Sequence, residues 1–118
     1  MTSQMPESAL DRAYALQRVG GDEELLKEIA AIFLEDYPNS LAEIRIAIAN
    51  SDARRLETSA HTLKGSAANF GARVAVDSAL RLEQMGRARL MGQSADALRD
   101  LEDGLAQLHR DLTALLQL

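Results

Sequence analysis

The sequence predicts an all-α fold, an antiparallel up-down four-helix bundle with a short extra helix at its N-terminus. The apolar residues, 47% of the 118 residues, are mainly alanine and leucine, which favour helices over strands. Only two prolines interrupt the chain. Apolar residues recur at alternating steps of three and four, the spacing of amphipathic helices. The length suits one hydrophobic core, so residues 1–118 are expected to form a single domain.

Two glycines separate the first two predicted helices. A short helix is expected over residues 7–17, before Gly20-Gly21, and a long one over about 22–50, because Asp22 can cap its N-terminus. Pro38 interrupts the long helix without shifting the phase of its apolar stripe, so one kinked helix is predicted, with two separate helices as the alternative. The stripe consists of Leu26, Ala30, Phe33, Tyr37, Leu41, Ile44 and Ile48.

Three more helices follow after short connections. One begins after Asn50-Ser51-Asp52 and ends at Gly71, the next covers about 73–90, and Ser94 is expected to cap the last. The last helix could form half of a coiled coil, but it has fewer than four heptads and three amphipathic partners, which favours the bundle. The predicted core positions are Leu56, Ala60, Leu63, Ala67 and Phe70, then Val76, Ala79, Leu80 and Leu82, then Leu98, Leu101, Leu105, Leu108, Leu112 and Leu115.

Composition excludes several classes of function. A formal charge of −5 argues against general nucleic-acid binding, which needs a basic surface. The absence of cysteine removes disulfides and thiolate metal sites, and two histidines alone make a metal site improbable. The N-terminus has no long apolar run, so no signal peptide or membrane span is expected and a cytoplasmic location is predicted. No phosphate-binding glycine loop is present, so the chain is not expected to bind ATP itself.

The charge is distributed unevenly along the chain. Residues 54–91 contain seven basic and three acidic residues, a local charge of +4 within an acidic protein. Such a region fits an anionic group or an acidic partner. The alternative is an ordinary solvated face on which charges are scattered by chance.

His61 lies one position past the core stripe of its helix, so its side chain is expected to be at least partly exposed. Lys64 and Gly65 follow one turn later on the same side. Lysine pairs readily with a phosphoryl group. Glycine inside a helix costs about 1 kcal/mol relative to alanine. Gly65 therefore either leaves room for an attacking group or a partner, or permits close helix packing.

A nucleophilic imidazole needs one nitrogen to donate a hydrogen bond, so that the other keeps a free lone pair. Glu83 is the expected acceptor, because it lies about as far after the turn near residue 71 as His61 lies before it. Arg87, one turn beyond, could reach the same site, but an ordinary surface pair with Glu83 is the expectation. His109 has no lysine and glycine beside it and is expected to be a plain surface residue.

The run His61-Thr62-Leu63-Lys64-Gly65-Ser66-Ala67-Ala68-Asn69-Phe70-Gly71-Ala72 resembles the histidine-containing phosphotransfer (HPt) domain family, the four-helix modules of phosphorelays. The segments 19–22 and 33–38 extend the resemblance. It implies that the aspartyl phosphate of a receiver domain, or a kinase, phosphorylates His61 on Nε2, and that His61 passes the group to another response-regulator receiver. Lys64 and Gly65 would assist phosphate and access, and Glu83 would bind the Nδ1 side.

The same resemblance implies a monomeric phosphocarrier that works with receivers and a sensor histidine kinase, the receiver supplying Mg²⁺. Two other functions remain open. The bundle could be a non-catalytic interaction module in which His61 is incidental, or the histidine-acceptor domain of a chemotaxis-type kinase, cut from a longer chain.

Overall fold

The computed structural model describes residues 9–117, and within them the predicted all-α architecture is confirmed. Helices α2 to α5 run up and down and form the bundle, with α3 against both α2 and α4, and α5 against α4 and α2. Helix α1 lies at the end that holds the α3–α4 turn, where the Asp11 amide donates to the Phe70 carbonyl. The helices are α1 (Arg12–Arg18), α2 (Glu23–Ala49), α3 (Ala53–Ala68), α4 (Arg73–Ala88) and α5 (Ser94–Leu116).

Aspartates cap the first three helices. The side chains of Asp11, Asp22 and Asp52 each accept a hydrogen bond from the backbone N–H three residues later, which satisfies a donor that the helix itself leaves free. The cap at Asp11 makes α1 begin later than the predicted residue 7. Residues 9–11 were predicted to be helical but precede the helix, so this part of the prediction is wrong. Residues 7 and 8 lie outside the described part of the chain.

Two further boundary predictions have opposite outcomes. Helix α2 continues through Pro38 without a break, which confirms one helix rather than two. Ser94 does not cap α5. It lies inside the helix, buried, and its hydroxyl donates to the Met91 carbonyl at 2.8 Å, while Gln93 occupies the cap position without a side-chain bond.

The core of α4 differs from its predicted stripe. Val76 and Leu80 are only half-buried, because the buried face of the helix is made largely of small residues that allow close contact with its neighbours. At Gly86 an added Cβ would lie 2.6 Å from the Ala53 carbonyl oxygen and 2.6 Å from the Glu57 amide of α3. The buried positions of α4 are Ala75, Ser78, Ala79, Leu82, Glu83 and Gly86.

The predicted stripe of α3 is buried throughout, as is the predicted stripe of α5 from Leu101 to Leu115, whereas Leu116 is exposed. Tyr37, Ile48 and Leu98 lie at the edge of the core rather than inside it. No helix within residues 9–117 is both long enough and apolar enough to cross a membrane. The close packing of α3 on α4 places one acidic residue, Glu83, inside the interface next to the outward face of α3.

Candidate functional site

His61 stands on the outward face of α3 with 67% of its side chain exposed. The preceding residue, Ala60, and the following Leu63 are buried, and they fix the rotation of the helix. The helix therefore holds the backbone of His61 rigidly while the imidazole remains open to solvent.

The Nδ1 atom of His61 lies 2.9 Å from Oε2 of Glu83, whose side chain is only 4% exposed. Burial alone would raise the pKa of Glu83, but the contacts and charges of Lys64 and His61 outweigh it and hold the pKa below its ordinary value. The carboxylate is therefore ionised at neutral pH and can only accept. A neutral imidazole must donate from Nδ1, which leaves the lone pair of Nε2 free.

Lys64 also contacts Glu83, with its Nζ atom 2.7 Å from Oε1. The distance is that of an ion pair, but no donor is aligned on Oε1 within hydrogen-bond angles, so the contact is electrostatic rather than directional. Lys64 is therefore bound to a carboxylate in the unphosphorylated protein. Its side chain keeps 27% exposure and is not locked in the core.

Arg87 pairs with Glu83, as expected, but the pair is not an ordinary surface pair, because the Glu83 side chain is buried and Arg87 also binds Glu57. Its Nη2 atom lies 3.0 Å from Oε2 of Glu83, the same oxygen that accepts from His61, and its Nε atom lies 3.0 Å from Oε2 of Glu57. The bond and charge of Glu57 are the main causes that raise the pKa of Arg87. Sequence reasoning places Glu57 one turn before His61 on the same face but assigns it no role, and its bond to Arg87 is what the structure adds.

Gly65 leaves open space beside the histidine. A Cβ added there would meet nothing within 4 Å, whereas one added at Gly86 would meet backbone. Close helix packing is therefore not the reason for Gly65, and the role of packing glycine belongs to Gly86. This open space lies one turn after His61, on the same side of α3.

The site is an open depression rather than an enclosed pocket. A concavity of about 410 Å³ contains His61 in its wall. It is also lined by Arg54, Thr58 and Thr62 and by three members of the ion-pair network, Glu57, Glu83 and Arg87. A groove of about 500 Å³ lies between the segment before α1 and helices α4 and α5, remote from the imidazole. An open site suits a group that exchanges with another protein, because both reactants must reach the histidine. Nowhere in residues 9–117 do three or more histidine, cysteine or acidic side chains cluster as metal ligands would.

His109 also has a partner, which the sequence did not indicate. Its Nδ1 atom lies 2.8 Å from the hydroxyl of Tyr37, and burial raises the pKa of that hydroxyl. The two rings meet edge to face across α2 and α5. His109 is exposed, as expected, but it helps to join two helices.

A four-helix bundle that exposes one oriented histidine beside a lysine defines a class of protein, the histidine phosphotransfer modules. The Hpt domain family model matches residues 28–117, and the chain belongs to this family. Its function is that of a histidine phosphotransfer intermediate in a two-component phosphorelay.

One solved structure with the same fold is histidine-containing phosphotransfer protein B (HptB) from Pseudomonas aeruginosa PAO1. It superposes with a TM-score of 0.86 at 20% sequence identity, covering 95% of this chain and 97% of the other. At this identity the likeness concerns the fold. No curated protein matches the chain in sequence.

Proposed function

We propose that His61 is the residue that carries the phosphoryl group, and that Nε2 is the attacking atom. The observation that supports this most is the bond from Nδ1 to the buried carboxylate of Glu83, which leaves an exposed Nε2 with a free lone pair. His109, the other histidine, has its Nδ1 engaged by the Tyr37 hydroxyl and contacts no carboxylate within residues 9–117.

The transfer is balanced without an added acid or base. The Nε2 lone pair attacks the phosphorus of an aspartyl phosphate, the bond from phosphorus to the aspartyl oxygen breaks, and the aspartate leaves as a carboxylate with the electron pair. The Nδ1 proton stays on the ring, which becomes positively charged. Glu83, 2.9 Å from Nδ1, stabilises that charge. In the reverse direction neutral imidazole is the leaving group.

Lys64 and Gly65 serve the phosphoryl group in different ways. The ammonium of Lys64 is one turn from His61 and partly exposed, so it can neutralise the phosphoryl oxygens. Gly65 leaves the approach open, since a Cβ at that position would meet no side chain or neighbouring helix of residues 9–117 within 4 Å. The Mg²⁺ of the reaction would be bound by the acidic cluster of the partner receiver.

The proposed partners are response-regulator receivers and a sensor histidine kinase, met by a monomeric chain in the cytoplasm. Much of the basic region between residues 54 and 91 is neutralised by ion pairs, including Arg55 with Glu43 and Arg81 with Asp100. Arg54 has no ion pair with any other described residue and lines the depression beside His61. It is the cation best placed to attract an acidic receiver.

The test uses a panel of purified receiver domains primed with acetyl phosphate. At least one should label the wild-type chain, none should label His61→Gln, and His109→Gln should be labelled like the wild type. ATP alone should leave all three unmodified. Labelling of His61→Gln at another residue would overturn the assignment. A chain labelled by a kinase core but by no receiver would indicate the acceptor domain of a kinase, and no labelling at all would indicate an interaction module.

A further inference from the structure

Glu83 has two cationic partners, one on each carboxylate oxygen. Lys64 lies 2.7 Å from Oε1, and Arg87 lies 3.0 Å from Oε2. The resting histidine needs only the carboxylate itself, since Nδ1 already donates to Oε2. The second cation therefore needs an explanation of its own.

A buried carboxylate is costly to leave without a positive partner. Glu83 keeps only 4% of its side chain exposed, so water cannot replace a departing lysine. Once His61 is phosphorylated, its ring brings one positive charge to Oε2, but the phosphoryl group on the same ring carries two negative charges. Lys64 can therefore move to that group only if a cation other than the ring remains on Glu83. Arg87 is held there independently, because its Nε atom is bound to Glu57, at 3.0 Å.

We propose that Arg87 is a positioning residue that keeps Glu83 compensated while Lys64 moves from Glu83 to the phosphoryl group on His61. This inference rests on the proposed role of His61 as phosphoacceptor. Arg87 acts through Glu83, and the phosphoryl group is neutralised by Lys64 alone. The planar guanidinium suits this task, because separate N–H groups reach Glu83 and Glu57 at once, which a single ammonium does less well.

Phosphoramidate provides a test that needs no protein partner. The Nε2 lone pair of His61 attacks its phosphorus, the phosphorus–nitrogen bond breaks, and ammonia leaves with the electron pair. The full chain is phosphorylated in this way, and a ³¹P NMR titration then gives the pKa of the phosphoryl group. A neighbouring ammonium lowers that pKa, so the titration reports directly whether Lys64 has moved.

The variants are Arg87→Met, Lys64→Met as the reference without a lysine, and Arg81→Met as the matched control. Arg81 lies on the same helix in an exposed pair with Asp100 and should behave like the wild type. Arg87→Met should accept phosphate about ten-fold more slowly, which corresponds to about 1.4 kcal/mol. Its phosphoryl pKa should rise to that of Lys64→Met. If circular dichroism shows that Arg87→Met does not fold, Glu57→Gln is used instead, because it weakens the bond that holds Arg87 in place. It should likewise slow phosphorylation and raise the phosphoryl pKa.

The decisive comparison repeats Arg87→Met in the Glu83→Gln background. A neutral amide needs no cation, so Lys64 is free from the start and the loss of Arg87 should have no effect on rate or phosphoryl pKa. An effect of equal size in that background would show that Arg87 contacts the phosphoryl group directly, and would overturn the proposal. A wild-type rate and titration for Arg87→Met would overturn it as well. Failure of the wild type to be phosphorylated on His61 would contradict the proposed function instead.

Discussion

The imidazole of His61 is hydrogen-bonded through Nδ1 to Oε2 of Glu83, at 2.9 Å. The side chain of Glu83 is almost wholly buried, whereas that of His61 is mostly exposed. The two residues lie on neighbouring antiparallel helices, α3 and α4. The arrangement separates orientation from reactivity, because Nδ1 is held by the buried carboxylate while Nε2 is left free to react.

Substitutions at Glu83 should separate orientation from charge. Glu83→Gln keeps an oxygen that can accept from Nδ1 but has no charge for the ring that becomes positive, so acceptance should slow roughly ten-fold, or about 1.4 kcal/mol. Glu83→Leu removes both effects and should be slower still. Rates of labelling by one primed receiver measure the series. Equal rates for all three would show that Glu83 does not orient or stabilise the ring.

Gly65 and Gly86, two of the glycines inside helices, should respond oppositely to alanine. Gly65→Ala adds a Cβ that meets nothing within 4 Å, so it should raise the free energy of unfolding by about 1 kcal/mol while it slows phosphotransfer from a bulky receiver. Gly86→Ala forces a Cβ to within 2.6 Å of α3 backbone and should destabilise the fold by about 1–3 kcal/mol.

Urea unfolding and receiver labelling, measured together, distinguish the two glycines. A Gly65→Ala variant that is fully active would contradict the assignment of clearance to that position, whatever its stability.

Arg54 should speed the encounter with an acidic receiver. It lines the depression beside His61 and has no ion pair in residues 9–117, so Arg54→Glu should lower the second-order rate roughly three- to ten-fold at low salt, and added salt should reduce the difference. Arg73 is a matched control, since it is exposed and likewise without an ion pair but lies at the start of α4, far from His61. Stopped-flow transfer kinetics measure both, and equal effects would argue for net charge rather than local steering.

Glu83 should make the fold sensitive to acid. Its folded-state pKa lies below the ordinary value of 4.5. A depressed pKa contributes stability that is complete above the unfolded value and is lost as the pH falls through the folded one. The wild type should therefore lose stability below about pH 5 more steeply than Glu83→Gln, by chemical denaturation at a series of pH values. If the free energy of unfolding fell equally with pH in both proteins, the cations around Glu83 would not stabilise its ionised form in the folded state.

The regular pattern of α3 made much of the site predictable from the sequence. The buried stripe through Ala60 and Leu63 fixes where His61 points, and counting residues from the turn is enough to bring Glu83 to its level. Both inferences use only the geometry of straight antiparallel helices.

The other features of the fold and the site could not be predicted, because they depend on distances between helices and on local hydrogen bonds that the spacing of apolar residues does not reveal. Hydrophobicity alone predicted that Val76 and Leu80 face the core. Helix α4 instead turns its small residues inward, because a residue without a side chain at Gly86 permits close contact with α3. Arg87 bonds to Glu57 across two helices, and that pairing appears only when the interhelical distance is known. The Ser94 hydroxyl satisfies a local carbonyl instead of capping the helix.

Identifying the nitrogen that carries the phosphoryl group is the most direct test of the roles proposed for His61 and Glu83. The chain is labelled by a primed receiver, and ¹⁵N and ³¹P NMR of the histidine-labelled protein identify the phosphorylated atom. Because Glu83 occupies the Nδ1 side, we expect phosphate on Nε2 of His61 with the proton retained on Nδ1. Phosphate on Nδ1 of His61, or on His109, would contradict this expectation.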